Sequence, residues 1–248
     1  MQARDAAIEC LRSTRPRLVE AFGKIEHQHK DDLSVVTELD NWAEEQYVTR
    51  LKRFDSGIGF LGEEHGAEGS VTTKWLIDPI DGTEYFIRGI SGCVNMLTLV
   101  VDDRPKVCAI YDFVEDKMYS AVAGKGSILN GQKIAVSNRP IRRAFIDVEE
   151  QSGDLTITKK IKNSGAWYVR IPVKAGLLVA CGMIEAYVVI NGKGGVWDYA
   201  PRTLLVEEAG GVVVNVDSKD YDYRNKSFIT SNRVIFEELR KIISDSRE

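Results

Sequence analysis

Residues 75–83 read Trp75-Leu76-Ile77-Asp78-Pro79-Ile80-Asp81-Gly82-Thr83, so an apolar run ends in two aspartates three positions apart. We predict a buried strand that ends at Asp78, because Pro79 lacks an amide hydrogen and forces a turn. In a tight turn the Asp78 and Asp81 carboxylates and the Ile80 carbonyl can face one point, where two like charges repel unless a cation lies between them. Oxygen ligands of this kind suit Mg²⁺. An ordinary Asp-Pro turn is the alternative for this segment alone.

The two residues that follow, Gly82 and Thr83, are predicted to open a short helix. The first amides of a helix have no partner inside it and carry the positive end of the helix dipole, so they favour an anion. A cation site and an anion site would then lie side by side. That pairing is typical of a phosphate ester bound through a metal ion.

Acidic residues on three other segments could join this turn. Glu63 follows a predicted strand in Gly-Glu-Glu, Asp198 lies at the start of a predicted helix after Trp197, and Asp40 lies in the first turn of another helix. Each also has a local explanation: a solvated strand edge for Glu63, and helix capping for Asp198 and Asp40. Only their combination favours a shared site.

Apolar spacing along the chain predicts alternating helices and sheets. Thr37 and Asp40 resemble a capping box, with Asp in place of Glu, at the start of the second helix. The predicted helices cover 4–22, 37–54, 173–181, 197–208 and 235–243. The predicted strands cover 58–61, 75–77, 94–101, 106–113, 117–123, 145–148, 166–171, 186–190 and 212–216, with hairpin turns at 102–105 and 115–116. This pattern predicts layered α/β packing in two halves, 1–138 and 139–248, with the active site between them.

Composition excludes several classes of protein. The 248 residues include 33 Lys and Arg and 37 Asp and Glu, a net charge of −4, whereas nucleic-acid binding needs a basic face. No apolar run reaches the roughly 18 residues of a membrane span, and the first residues lack the apolar core of an export signal. The four cysteines form no C-x-x-C pair and are predicted to be buried thiols. We therefore predict a cytoplasmic protein that binds neither nucleic acid nor membrane.

These motifs resemble the inositol monophosphatase family of magnesium-dependent, lithium-sensitive sugar phosphatases. The family pattern W-x-x-D-P-[IL]-D-G-T is met in full at 75–83. The match runs from about Lys30 to Ser231 and includes V-T-x-x-D at 36–40, G-E-E at 62–64, G-x-G with N-G at 124–126 and 130–131, W-D-x-A at 197–200 and E-A-G-G at 208–211. The fold that the resemblance implies is an α/β class αβαβα sandwich of the inositol monophosphatase and fructose-1,6-bisphosphatase type.

The resemblance also implies a set of metal ligands. Glu63, Asp78 and the Ile80 carbonyl would hold a first ion, and Asp78, Asp81 and Asp198 a second. Glu63, with water, would hold a third. The expected cofactor is therefore two to three Mg²⁺ ions, with Mn²⁺ as an alternative.

Catalytic and substrate-binding roles carry over in the same way. Thr83 and Asp40, or Glu63, would orient and deprotonate the attacking water, and the Gly82 and Thr83 amides would bind phosphate. The residues expected to contact substrate are Asp81, Gly82, Thr83, Arg170, Lys174 and Asp198.

The substrate is less closely specified than the metal site. The family commonly has Asn two residues after the motif Thr, where this chain has Tyr85, and the usual sugar-binding segments are also altered. Inositol 1-phosphate is the leading candidate, then fructose 1,6-bisphosphate, alone or together with the first, then 3′-phosphoadenosine 5′-phosphate. Arg170 and Lys174 suit a second phosphate, although a solvated basic face is the more common explanation for such residues. The alternatives also include a catalytically silent regulatory binding module, and analogy favours a homodimer.

Overall fold

Seven helices and fifteen strands make up the described part of the chain. The computed structural model describes residues 2–26, 28–29, 35–150 and 155–246. The helices are α1 (Ala3–Ala21), α2 (Glu38–Phe54), α3 (Thr83–Ile87), α4 (Thr156–Asn163), α5 (Ala175–Ala180), α6 (Val196–Glu208) and α7 (Phe236–Ser244). The strands are β1 (Gln28–His29), β2 (Val35–Val36), β3 (Gly59–Gly62), β4 (Gly66–Glu68), β5 (Thr73–Asp81), β6 (Val94–Val101), β7 (Arg104–Asp112), β8 (Lys117–Val122), β9 (Gly126–Leu129), β10 (Gln132–Ile134), β11 (Phe145–Glu150), β12 (Trp167–Val169), β13 (Ala186–Ile190), β14 (Val212–Asn215) and β15 (Phe228–Ser231).

The larger sheet is covered on one face by α1 and α2. Its strand order is β10-β9-β8-β7-β6-β5-β3-β4. Leu11 of α1, Tyr47 of α2 and Trp75 of β5 are fully buried in the core between them. The hairpins predicted between β6, β7 and β8 are confirmed, since both pairs are antiparallel.

The smaller sheet lies beyond a second helix layer. Its strand order is β12-β11-β13-β15-β14, and α5 and α6 fill the space between the two sheets, with Leu205 of α6 and Phe228 of β15 in that core. A third core joins the other face of this sheet to α4 and α7, with Ile161 and Leu239 fully buried. The layers therefore follow one another as α1 with α2, the larger sheet, α5 with α6, the smaller sheet, and α4 with α7, and the predicted αβαβα sandwich is confirmed.

Helix α2 begins at the capping box that the sequence predicts. Thr37 Oγ1 accepts a hydrogen bond from the Leu39 amide at 3.2 Å, and Asp40 Oδ2 accepts one from the Thr37 amide at 2.8 Å. The Asp40 side chain is buried. The start of the helix thus fixes one oxygen of Asp40 and leaves the other available.

The turn predicted directly after Asp78 was wrong, because β5 continues to Asp81. Asp78 pairs with Met96 of β6 and Asp81 with Val94, so β5 carries one extra residue at this point. The extra residue is a β-bulge, where proline is tolerated because the ladder is already interrupted. Residues three apart on a regular strand point to opposite faces, whereas the bulge lets both aspartates reach one side.

The described cysteines carry free thiols, as predicted. Cys10, Cys93 and Cys108 are buried, and Cys181 is half-buried. Burial raises the pKa of the Cys10 thiol to about 12, which keeps it unreactive. Among the described residues, no helix combines the length and apolar character needed to cross a lipid bilayer.

Candidate active site

Three aspartates from two layers meet at the bulge of β5. Carboxylate oxygens of Asp78, Asp81 and Asp198 all lie within 4.8 Å of one another. Asp78 and Asp81 belong to the larger sheet, and Asp198 lies in the first turn of α6. Three of the predicted metal ligands are therefore brought together across about 120 residues of sequence.

Asp198 is held in place by its own helix start. Its Oδ2 accepts a hydrogen bond from the Gly195 amide at 2.5 Å, which satisfies one of the free amides at the beginning of α6. The local capping role that the sequence suggested is present. Because the carboxylate has a second oxygen, the cap also orients Asp198 toward Asp78 and Asp81.

Asp78 is the least compensated charge of this cluster. It is fully buried, and neither of its carboxylate oxygens receives a hydrogen bond from the described residues. Burial raises the pKa of Asp78 well above its usual range, the negative charges of Glu63 and Asp198 add to that rise, and the positive charge of Arg202 opposes it. Two buried oxygens without donors, among several carboxylates, fit a cation with hard oxygen ligands.

Glu63 stands at the end of β3, beside β5. The buried carboxylate of Glu44 accepts hydrogen bonds from the amides of Glu64 at 2.9 Å and His65 at 3.0 Å. The Glu63 amide bonds to the Ile77 carbonyl at 3.2 Å. The backbone on both sides of Glu63 is therefore fixed. Its carboxylate lies outside the group of three aspartates, but its charge acts on Asp78.

Thr83 links the aspartate cluster to Asp40. Its Oγ1 lies 2.9 Å from the Ile80 carbonyl and 3.3 Å from Asp40 Oδ1. Asp40 Oδ2 accepts hydrogen bonds from the amide and hydroxyl of Thr37, at 2.8 and 2.7 Å. Burial raises the pKa of Asp40 to about 6, against these hydrogen bonds, which lower it. A carboxylate with a pKa near neutrality, bonded to a hydroxyl, can accept a proton through that hydroxyl.

Gly82 gives α3 its start in a conformation that favours glycine. Its φ is 85°, and a Cβ atom there would lie 3.0 Å from Cγ2 of Val173 and 3.3 Å from the Gly92 carbonyl. A side chain would therefore meet neighbours as well as backbone strain. The glycine leaves the amides at this helix start close to the acid cluster.

A cavity of about 190 Å³ opens beside the cluster. It is lined by Asp81, Glu149, Arg170, Ile171, Pro172, Val173, Ala175, Tyr187, Gly194, Asp198, Tyr199 and Arg202. A larger cavity of about 760 Å³ shares none of these residues and lies around the β6–β7 hairpin and residues 219–224. Because Asp81 and Asp198 line the smaller cavity, a ligand bound there would lie next to the aspartate cluster.

The two predicted basic substrate contacts differ in position. Arg170 lines the smaller cavity and pairs with buried Asp147 at 3.1 Å. Lys174 does not line it, and its ammonium group pairs with Asp112 and, at 3.1 Å, with Glu115. The phosphate roles of both residues stay predictions, and of the two only Arg170 lines the smaller cavity.

Sequence reasoning missed two features of this site. Arg202 lies one helical turn after Asp198 and forms an ion pair with Asp81; the spacing of four residues is a readable signal, although it indicates only a helical pair. Glu149 accepts hydrogen bonds from the hydroxyls of Tyr187 and Tyr199, at 2.5 and 2.9 Å. Nothing in the sequence links these three residues, because the smaller sheet and α6 bring them together.

Comparisons with known proteins give this site its context. The whole chain, residues 1–248, matches the model of the inositol monophosphatase family. It is 31% identical to Nus factor SuhB of Xylella fastidiosa over 86% of this chain and 82% of that protein, and 32% identical to inositol monophosphatase 1 of Solanum lycopersicum over 83% and 79%. The solved Thermotoga maritima IMPase has a TM-score of 0.87 at 26% identity, covering 100% of this chain and 98% of that one.

Proposed function

This chain belongs to the inositol monophosphatase family of phosphoric monoester hydrolases, and we propose that it releases phosphate from a small polyol or sugar monoester, with inositol 1-phosphate as the first substrate. The observation that carries the proposal is the cluster of buried Asp78 with half-buried Asp81 and Asp198, in which the oxygens of Asp78 lack donors. Fructose 1,6-bisphosphate and then 3′-phosphoadenosine 5′-phosphate are the next candidates.

We infer that Glu63, Asp78, Asp81, Asp198 and the Ile80 carbonyl hold the divalent cations on which this family depends. Mg²⁺ is the first choice, because the donors are all oxygens, and Mn²⁺ accepts the same set. When bound, the ions supply positive charge that offsets the charge of the phosphate and lowers the pKa of a nearby water.

The proton of the attacking water goes to the Thr83–Asp40 pair in this proposal. The Thr83 hydroxyl accepts a hydrogen bond from the water and donates its own to Asp40 Oδ1, now 3.3 Å away. Asp40 holds the proton because burial already raises its pKa. Glu63 is the alternative base. The water oxygen then bonds to phosphorus as the bond from phosphorus to the polyol oxygen breaks, and the departing polyol oxygen takes a proton from a second water. No covalent intermediate forms on the protein.

The substrate is held by the start of α3 and by the smaller cavity. The amides of Gly82 and Thr83 would bind phosphate oxygens, since the first amides of a helix have no partner inside it. The polyol would occupy the cavity, where Glu149 accepts hydrogen bonds from its hydroxyls, and Arg170 would contact a second phosphate if the substrate carries one. Asp81 and Asp198 would lie next to both the phosphate and the polyol of the bound substrate.

A panel of phosphate esters tests the proposal. Phosphate release is measured for inositol 1-phosphate, fructose 1,6-bisphosphate and 3′-phosphoadenosine 5′-phosphate, with Mg²⁺, Mn²⁺ or a chelator, and with added Li⁺. We expect the fastest release from inositol 1-phosphate, and none with the chelator. Faster release from another ester would move the assignment to that substrate. Light scattering on the same preparation tests the predicted homodimer.

A binding role is the second candidate, because one relative of this chain is named a Nus factor. In that case the aspartate cluster would stabilise the fold rather than turn over substrate. The ester panel separates the two roles: no release from any ester, in a protein that still binds Mg²⁺, would favour the binding role.

Removing the Thr83 hydroxyl should slow the reaction without unfolding the protein. We expect Thr83→Ala to lower kcat by about 100-fold, the usual size of a proton-transfer contribution, while the melting temperature stays close to that of the unchanged protein. Thr83→Ser keeps the hydroxyl and is the matched control. Equal rates for both variants would show that the hydroxyl does not carry the proton.

The metal-free protein should lose stability as the pH rises. The folded pKa is raised for Asp78 and reaches about 6 for Asp40 and Asp198, with burial as the first cause, so the folded chain holds protons that the unfolded chain has lost. Stability is therefore highest below the unfolded pKa of about 4 and falls as the pH passes through the raised values. The charges that face Asp78 are those of Glu63, Asp198, Asp40 and Arg202.

Melting curves at about pH 5 and about pH 8 measure this effect. A shift of two pKa units equals about 3 kcal/mol, so we expect the metal-free melting temperature to fall by about 5–10 °C. Mg²⁺ should raise the melting temperature more at the higher pH, where protons no longer compete for the carboxylate oxygens. Asp78→Asn should weaken both effects, and a metal-free protein that gains stability over this range would contradict them.

A further inference from the structure

One cation of the acid cluster belongs to the protein itself. Arg202 of α6 forms an ion pair with Asp81 Oδ2, and its Nη1 lies 4.0 Å from Asp198 Oδ1. Its side chain is only 6% exposed, so this charge is withdrawn from water together with the carboxylates. Asp78, Asp81 and Asp198 are the three residues that we assign to a second metal ion.

Few polar contacts satisfy this buried arginine. Its Nε has no hydrogen-bond acceptor among the described residues, and its Nη2 contacts the ion-pair partner Asp81 Oδ2. Burying a guanidinium group under these conditions is unfavourable unless nearby negative charge compensates for it. The aspartates supply that charge, because the positive charge of Arg202 is also felt by Asp78. Arg202 is therefore held in the site by charge and not by a network of polar contacts.

The neighbouring helix leaves room for the arginine stem. A Cβ atom on Gly176 of α5 would lie 2.8 Å from the Cβ of Arg202 and 3.4 Å from its Cγ and Cδ. Any larger residue at 176 would push the stem away from its present path. The packing of α5 against α6 thus directs the guanidinium group toward Asp81.

The charge of Arg202 reduces the number of ions that the carboxylates can balance. Glu63, Asp78, Asp81 and Asp198 carry four negative charges when ionised, which two divalent ions would balance. Arg202 lowers the net to three negative charges, so one divalent ion is balanced in full and a second is not. A second ion bound to Asp81 and Asp198 would have to displace the guanidinium group or lie against it, and like charges at such distances repel strongly.

We propose that Arg202 is a resident cation at the second metal position, so that the free protein binds one divalent ion fewer than its carboxylates would otherwise hold. The guanidinium group fills the place between Asp81 and Asp198, and the first position, at Asp78 and Glu63, takes the ion. This inference rests on the metal site of the proposed function. In the free protein Arg202 holds Asp81 and Asp198 and excludes an ion from them, and the second ion of the proposed function would have to displace it.

Counting bound Mn²⁺ tests the proposal without reference to activity. Free Mn²⁺ is followed by electron paramagnetic resonance as the ion is added to metal-free protein. Arg202→Met removes the charge and keeps an unbranched side chain, and Arg202→Lys keeps the charge. Arg224→Met is the matched control, because Arg224 is exposed and pairs with Asp103 and Asp222 away from the cluster.

We expect Arg202→Met to gain one tight Mn²⁺ site, or to bind its last ion at least about tenfold more tightly, while Arg202→Lys and Arg224→Met keep the count of the unchanged protein. The same count and affinity in Arg202→Met would overturn the proposal. If no protein of the set binds Mn²⁺, the metal site itself is wrong, and the proposed function falls with the inference.

A crystal of the unchanged protein soaked in Mn²⁺ gives a test that does not depend on a variant folding. Anomalous scattering should show an ion at Asp78 and none between Asp81 and Asp198, with Arg202 still paired to Asp81. An ion bound by both Asp81 and Asp198, with the guanidinium group displaced, would overturn the proposal while leaving the proposed function intact.

Discussion

Asp81→Asn is expected to lower the rate of phosphate release by about 1,000-fold or more, equal to about 4 kcal/mol of activation free energy. Asp81 lies at the end of the β5 bulge, where its carboxylate oxygens are within 4.8 Å of those of Asp78 and Asp198. The amide has nearly the same shape but no negative charge, so it cannot balance a cation next to the phosphate. The rate is measured with saturating Mg²⁺ and inositol 1-phosphate.

The protein should still fold, since the replacement keeps the size of the side chain, but the melting temperature should fall because buried Arg202 loses its charged partner. Circular dichroism melting checks that expectation on the same sample. Asp103→Asn is the matched control, because Asp103 is an exposed aspartate paired with Arg224 in the turn after β6. Near-normal phosphate release by Asp81→Asn would contradict the proposed metal site and the chemistry that depends on it.

Gly62→Ala is expected to lower the free energy of unfolding by about 3–5 kcal/mol. The new Cβ atom would overlap the carboxylate of Glu44, whose Oε2 would lie 2.7 Å away. Glu44 cannot move aside without cost, because it is buried and accepts the amide hydrogens of Glu64 and His65. For a chain of this size the loss corresponds to a fall of about 10 °C in the melting temperature.

The same change should weaken divalent-ion binding, since it moves the backbone next to Glu63. Gly66→Ala, four residues along in the same hairpin, is the control. Gly66 has a φ of 71°, but a Cβ atom added there would have no neighbouring atom within 4 Å, so we expect only the backbone penalty of about 1–2 kcal/mol. If Gly62→Ala and Gly66→Ala were equally stable, the contact with Glu44 would not be what fixes the backbone next to Glu63.

The sequence predicted the elements that repeat a clear pattern. Apolar positions at helical spacing and the capping box at Thr37 placed α1 and α2, and polar turns placed the β6–β7–β8 hairpins. Seven short elements were missed: β1, β2, β4, β9, β10, β15 and α4. Their positions depend on pairing with neighbouring strands or on packing against a sheet, which no local signal records.

The sequence likewise predicted some features of the candidate site and missed others. The motif around Asp78 and Asp81, and the caps at Asp40 and Asp198, were readable because each has a local role as well as a shared one. The strand was wrongly ended at Asp78, since proline normally interrupts a ladder and the bulge that accommodates it depends on the pairing with β6. Arg202 escaped notice because its partner Asp81 lies on another layer.

Helix α6 packs against both sheets and carries Asp198, whereas Asp78 and Asp81 come from the larger sheet alone. A fragment that ends before α6 would keep two of the three aspartates and lose the third. The group of three aspartates is thus complete only after α6 has docked, so its closure during refolding should report the last docking event rather than the earliest one.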